Sequence, residues 1–139
     1  MKFDKINSAI LLVRLIVGPV FLSEGIQKFI YPALRGSGRF VSIGLPAPEF
    51  LAYFVAVFEI ICGLFVILGL FTRYAAVPLI IIMLVAIFST KFPILINDGF
   101  WAMAHHARTD WSMLLGSVTL FLTGPGKNSV DSLWLKRSD

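Results

Sequence analysis

The fold is decided by residues 50–92, FLAYFVAVFEIICGLFVILGLFTRYAAVPLIIIMLVAIFSTKF, which place two long apolar runs back to back. At the centre, only Thr72 and Arg73 separate the first run from the second. A membrane-spanning helix needs about 20 apolar residues, so the stretch is too long for one crossing and long enough for two. It therefore predicts a tight hairpin of two transmembrane helices.

Apolar stretches also lie on both sides of this hairpin. The first runs from about Asn7 to Phe29, and the last, which ends near Thr123, is long enough to cross only if its helix starts near Phe100. We therefore predict an all-α fold, a four-transmembrane-helix bundle. Its helices are expected at about residues 7–29, 50–71, 74–92 and 101–123, within one domain covering residues 1–139. Glycine and proline between the first two helices predict a long loop.

The composition points to lipid as the surrounding solvent. The 139 residues are 58% hydrophobic and 14% charged, with a mean hydropathy of +0.86, whereas soluble domains have roughly 25% charged residues. Four spans leave no room for a separate soluble catalytic domain. The net charge of +4 comes from residues at predicted helix ends, where they suit anionic lipid headgroups. A lipid bilayer is thus the expected partner, and no nucleic acid is.

The first helix is predicted to be retained and both termini to be cytoplasmic. Lys2 and Lys5 precede an apolar run as in a signal peptide, but no small-x-small cleavage site follows and Arg14 interrupts the run. An even number of crossings puts both termini on one side of the cell membrane. Lysine and arginine divide six to five in favour of that side, and the positive-inside rule makes it cytoplasmic.

Motifs for common cofactors are missing from the sequence. Cys62 is the only cysteine, which excludes an internal disulfide or a Cys-x-x-Cys pair. His105 and His106 are adjacent and diverge by about 100° on a helix, so they do not share a metal or haem face. Residues 124–129, GPGKNS, lack the first glycine of a phosphate loop. We predict no metal site and find no haem, flavin or nucleotide motif.

Charged residues inside the spans are the candidate site. On the first helix Arg14 and Lys28 share one stripe with three apolar or small residues, Gly18, Phe21 and Gly25, and this stripe should face the bundle. We interpret Lys28 as reaching the headgroups and Arg14 as facing inward.

Glu59 lies near the middle of the second span, where an ionised carboxylate costs several kcal/mol unless it is paired, solvated or protonated. It shares a small-residue stripe with Ala52, Ala56 and Gly63, and we predict Arg14 as its partner. A structural ion pair and a role in proton transfer or ligand binding both stay open.

The fourth helix adds Asp110 and His106, which are four residues apart and able to form a contact. Proton exchange by His106 near neutral pH would suit a quinone-facing site, although an interfacial histidine without a role is the simpler alternative. A second stripe, formed by Ser112, Gly116, Thr119 and Thr123, is predicted to face the bundle interior.

A series of landmarks in a fixed order covers almost the whole chain. They are Arg14, Gly18, Phe21, Gly25 and Lys28; Gly44-Leu45-Pro46; Glu59 with Gly63; residues 68–73, LGLFTR; Asp110; and Gly124-Pro125-Gly126 followed by Ser129, Val130 and Asp131. Together they resemble the DoxX family of small four-helix membrane proteins. The family's acidic residue on the fourth helix is usually glutamate, whereas this chain has Asp110.

The resemblance implies a small subunit of a quinone-linked oxidoreductase, of the thiosulfate:quinone type, that acts with a partner subunit. In that case Arg14, Lys28, Glu59, Asp110 and His106 would bind or protonate a quinone substrate, and the partner would supply the electrons. The alternatives are a non-catalytic membrane anchor for soluble redox or stress enzymes and a small transporter or proton path. The last needs a homo-oligomer to form a sufficient cavity.

Overall fold

The computed structural model describes residues 2–138, and every regular element in that range is helical. In chain order the α-helices are α1 Lys2–Ile30, α2 Pro32–Arg35, α3 Ser37–Ser42, α4 Pro48–Leu68, α5 Thr72–Ala86, α6 Phe92–Asp98, α7 Phe100–Thr123 and α8 Val130–Arg137. A π-helical turn, Ile87–Lys91, continues α5 into α6.

Four long segments form an antiparallel ring in which α1 packs on α4, α4 on α5, α5 on α7 and α7 on α1. The turn between α4 and α5 begins with Gly69, whose φ of +72° suits glycine, and Phe71 adopts the same left-handed region at 46°. This left-handed turn reverses the chain within three residues, which is why the two helices run antiparallel.

Lipid surrounds this bundle. Three segments are long and apolar enough to cross a membrane, Asp4–Ile30, Pro48–Leu68 and Thr72–Asp98, and no more than a third of the most apolar part of each is buried inside the protein. The chain is thus an all-α membrane bundle. Helix α7 has 24 residues and spans about 36 Å, but its first half carries five polar side chains, so a fourth crossing stays a prediction.

Small residues set the distance between α1 and α4. A Cβ atom added to Gly63 would lie 2.8 Å from the Leu22 amide nitrogen and 2.9 Å from the Gly18 carbonyl oxygen. One added to Gly25 would lie 2.8 Å from the Ala56 carbonyl oxygen. Such distances leave no space for a side chain, so the two backbones touch along the stripes predicted from the sequence.

The buried core fills the half of the bundle that lies nearest the α4–α5 turn. Its largest fully buried side chains are Val17, Phe21, Val66, Leu79 and Leu120. The stripe of α1 is confirmed, since Arg14, Gly18, Phe21, Gly25 and Lys28 are all buried. On α4 the four predicted stripe residues are buried as well.

Two expectations were wrong. The connection between α1 and α4, predicted as a loop, contains the short helices α2 and α3. In the predicted interior stripe of α7, Ser112, Thr119 and Thr123 face outward, and only Gly116 packs against α1, beside Val17. The buried residues of α7 are Met113, Ser117 and Leu120. Each of the three outward hydroxyls donates a hydrogen bond to the carbonyl four residues earlier in α7, so none of them needs a partner on a neighbouring helix.

Replacing Gly63 by valine should destabilise the bundle by about 1–3 kcal/mol, because the added methyl groups must push α1 away from α4. The control is Val57→Leu on the lipid-facing side of α4, where the side chain is 44% exposed. Unfolding monitored by circular dichroism in detergent gives both values. An equal, small change in the two variants would show that the α1–α4 contact is not close-packed.

Candidate functional site

A buried ion pair joins the two tightly packed helices. Lys28 Nζ of α1 lies 2.6 Å from Glu59 Oε2 of α4, and the two residues are 7% and 3% exposed. Lys28 Nζ also lies 3.5 Å from the Glu24 carbonyl oxygen of its own helix. Because the pair sits inside a lipid-embedded bundle, each charge depends on the other, and losing one would leave an uncompensated charge.

This pairing corrects two predictions about α1. Arg14 is not the partner of Glu59, because it lies at the level of Val66 and Ile67, at the far end of α4. Lys28 does not reach the headgroups, because the close α1–α4 contact buries its stem beside Glu59. The long side chain of a lysine near the end of α1 can fold back to a carboxylate as readily as it can extend outward.

A second ion pair lies on the opposite side of the bundle. Lys91 Nζ, from the π-helical turn, is 3.0 Å from Asp110 Oδ2 of α7. Their side chains are 14% and 23% exposed, so this pair is less enclosed than the first. Asp110 thus has Lys91 as its partner and not His106.

Both ion pairs line one cavity of about 890 Å³ between α1, α4, α5, the π-helical turn and α7. Helix α3 covers one end, where Phe40 is buried. The walls are largely apolar, with Phe21, Phe58 and Met113 among them. A volume of this size, with apolar walls and a few convergent polar groups, is typical of small-molecule sites.

The cavity carries more positive than negative groups. Its charged lining residues are Glu24, Lys28, Arg35, Arg39, Glu59, Lys91 and Asp110, which makes four cations against three carboxylates. Arg35 and Arg39 belong to neither of the two ion pairs formed within residues 2–138. They lie at the covered end, on α2 and α3, and leave that end basic.

Two of the predicted site residues lie elsewhere. His106 is exposed, its ring meets that of His105 edge-on at 5.7 Å, and it does not line the cavity. Arg14 is 2% exposed and belongs to a separate centre at the other end of the bundle. The structure therefore brings together Lys28, Glu59 and Asp110 and leaves Arg14 and His106 apart from them.

Arg14 acts as a clamp on backbone carbonyls. Its Nε and Nη2 donate to the Val66 and Ile67 carbonyls at 2.9 and 2.7 Å, at the end of α4. Its Nη1 donates to the Pro125 and Asn128 carbonyls at 3.1 and 2.5 Å. A cation at a helix C-terminus also interacts favourably with the helix dipole. One guanidinium thus ties α1, α4 and the segment after α7 together, which is a structural task.

Three cavity residues, Lys91, Arg35 and Arg39, were not predicted from the sequence. Lys91 stands at the end of an apolar run, where a lysine usually reaches the headgroups. The π-helical turn redirects it, and no motif in IFSTK signals such a turn. Arg35 and Arg39 stand four residues apart in a stretch that looked like a loop, so a shared direction was not predicted.

Comparison with known proteins places these residues in a family context. A family model described as DoxX matches residues 9–91, a range that contains Arg14, Lys28, Glu59 and Lys91. The chain is 53% identical over 136 residues to "Uncharacterized membrane protein Rv3486" of Mycobacterium tuberculosis (strain ATCC 25618 / H37Rv), covering 94% of this chain and 83% of that protein. No solved structure matches the chain significantly.

A second relative carries a functional name. The chain is 37% identical over 117 residues to "Putative oxidoreductase CatD" of Bacillus subtilis (strain 168). The aligned region covers 82% of this chain and 78% of that protein. Both relatives are thus matched over most of their length.

Replacing Arg14 by methionine should cost about 2–5 kcal/mol of unfolding free energy, because four carbonyl groups each lose a charged donor. Amide hydrogen exchange should also speed up in residues 125–132. Arg73→Met is the control, since Arg73 is exposed and makes one bond of 3.4 Å to the Leu122 carbonyl; a loss near 0.5 kcal/mol is expected there. Similar losses in the two variants would contradict the clamp.

Proposed function

This chain belongs to the DoxX family of membrane proteins, and from that premise we propose that it is the quinone-binding membrane subunit of an oxidoreductase. The observation that carries the proposal is the cavity of about 890 Å³ with the Lys28–Glu59 pair on one side and the Lys91–Asp110 pair on the other. A quinone headgroup is flat and apolar, with a carbonyl oxygen at each end. It matches apolar walls with a polar group on two sides.

Each ion pair supplies what one quinone oxygen needs. Reduction to the hydroquinone takes two electrons and two protons and turns both carbonyls into hydroxyls. Lys28 and Lys91 would each donate a hydrogen bond to one oxygen and stabilise the negative charge that develops there. Each ammonium would then give one proton to its quinone oxygen. Glu59 and Asp110, which hold the lysines in place, would pass a proton from outside to each amine that results.

The electrons must come from a partner subunit. A single buried cysteine cannot form a dithiol, and the sequence has no motif for haem, flavin or nucleotide. A partner oxidoreductase with its own electron carrier would be oxidised as the quinone is reduced. The name of the Bacillus subtilis relative supports assignment to this class of protein.

A membrane anchor for soluble enzymes is the second candidate, and α8 favours it. Leu133, Trp134 and Leu135 are 62%, 63% and 71% exposed on this helix, and Lys136 and Arg137 follow them. An exposed apolar and basic surface near the C-terminus can hold a soluble protein at the membrane. Such an anchor would have no need of a ligand in the cavity.

We propose four crossings with cytoplasmic termini, which puts the covered end of the cavity outside the cell. In a Cys62→Ser background, Ser42→Cys on α3 should react with a membrane-impermeant maleimide in intact cells. Ser138→Cys should react only after permeabilisation, and both residues are exposed. Labelling of both cysteines from the same side would refute an even number of crossings with this orientation.

The double variant Lys28→Gln/Glu59→Gln tests the site without leaving a lone buried charge. The two amides can bond to each other, so the thermal midpoint should change by only a few degrees. Binding of a short-chain benzoquinone or naphthoquinone to the protein in nanodiscs, measured by calorimetry, should weaken at least about tenfold, since hydrogen bonds to a charged group contribute about 1.5–3 kcal/mol.

The matched control is Lys5→Gln/Glu49→Gln, which also removes one positive and one negative charge, both from exposed residues outside the cavity. It should bind quinone as the unaltered protein does. If the unaltered protein binds neither quinone, the quinone proposal fails and the anchor is favoured. If both double variants bind equally well, the Lys28–Glu59 pair has a structural role only.

A further inference from the structure

The cavity wall between α4 and α5 is also part of the outer surface of the protein. Phe54 and Phe58 of α4 line the cavity and are 49% and 37% exposed. Ile81 and Val85 of α5 line it too and are 55% and 47% exposed. A side chain that faces both the cavity and the outside marks a gap in the wall, so these four residues frame a lateral opening.

The remaining seams of the ring are closed at this level. Between α1 and α4 the backbones touch at Gly25, and the Lys28–Glu59 pair seals the space beyond it. Between the π-helical turn and α7 the Lys91–Asp110 pair bridges the helices. Phe21 of α1 and Met113 of α7 are buried and belong to one apolar cluster. Each of the other three seams is thus closed by a backbone contact, an ion pair or buried apolar side chains. The seam between α4 and α5 is not closed in this way at the level of the four framing residues.

The hairpin explains where this opening lies. Close to the turn, α4 and α5 are held together by a buried apolar set, Cys62, Val66, Ala75, Ala76 and Leu79. Further from the turn, the cavity is lined from Pro78 onward on α5 and up to Glu59 on α4. Proline has no amide to complete the helix ladder, which allows α5 to depart from a straight path. The two helices close near the turn and leave space beyond it.

The opening is at hydrocarbon depth. Glu59 lies nine residues before Leu68, the last residue of α4, which is about 14 Å along the helix axis. That is close to the middle of a hydrocarbon core about 30 Å thick. Its four framing side chains are apolar, and the Phe54 and Phe58 rings are 4.8 Å apart. A ligand that passes there has to be soluble in lipid, because a charged one would lose its hydration.

We infer that the ligand is a quinone with a long polyprenyl tail, which enters sideways from the bilayer and keeps its tail in the opening framed by Phe54, Phe58, Ile81 and Val85. The inference rests on the proposed function and specifies its substrate class. A cavity of about 890 Å³ suits a ligand of drug size, so a longer tail has to leave it. The opening leads the tail directly into the hydrocarbon while the headgroup stays beside Glu59.

A tryptophan in the opening tests this arrangement. Ile81→Trp should fill the space taken by the tail. The control is Leu84→Trp, because Leu84 lies on the same helix and is 40% exposed but does not line the cavity. Each variant in nanodiscs is titrated with a polyprenyl benzoquinone and with the same headgroup lacking the tail. Affinities are expressed as mole fraction in the lipid, which removes the difference in partitioning.

The expected result is selective. Ile81→Trp should weaken binding of the tailed quinone at least tenfold and change binding of the tailless one less than twofold, and Leu84→Trp should change neither. If Ile81→Trp and Leu84→Trp bind the tailed quinone equally, the lateral opening is refuted while the headgroup site stands. If the unaltered protein binds neither ligand, the proposed function itself has failed, and this inference fails with it.

A second measurement does not depend on either variant folding. A tailed quinone with a diazirine on its second isoprene unit is photolysed with the unaltered protein, and the labelled residues are identified by mass spectrometry. Labels on the four framing residues would support the inference. Labels confined to the outer faces of α1 or α7, or labelling that excess tailless quinone does not displace, would overturn it.

Discussion

The backbone contact between α1 and α4 is the constraint on which the rest of this structure depends. In lipid there is no hydrophobic driving force for helices to associate, since lipid tails are as apolar as the side chains of a neighbouring helix. Gly18, Gly25 and Gly63 instead let the two backbones touch, which lipid chains cannot reproduce. The same approach brings Lys28 within 2.6 Å of Glu59, so the ion pair is a consequence of the glycine contact.

The two buried basic residues of α1 have different kinds of partner at the two ends of the bundle. Arg14 donates to four backbone carbonyls, and its planar donors close the packed end. Lys28 meets a carboxylate at the end where the core is incomplete. The first arrangement leaves no space for a ligand, whereas the second lines a cavity. One end of this helix therefore carries a cation bound to backbone carbonyls, and the other end carries a cation that lines a cavity.

The general fold could be predicted from the sequence, because apolar length and helical spacing fix which segments enter the membrane and which face they bury. The stripes of α1 and α4 followed from that spacing. The partner of Glu59 did not, since Arg14 and Lys28 share one stripe and only the register between helices chooses between them. Ser112, Thr119 and Thr123 were assigned to the wrong face because their hydroxyls bond within α7. Small polar residues thus do not identify an interface by themselves.

The π-helical turn shows how a local irregularity completes the cavity. Within a π turn the amide bonds reach one residue further back than in an α-helix. In this turn Ser89 and Thr90 donate their hydroxyls to the Val85 and Ala86 carbonyls, at 2.6 and 2.5 Å. The extra residue turns Lys91 toward Asp110 of α7. The second pair therefore depends on this local departure from the α-helix.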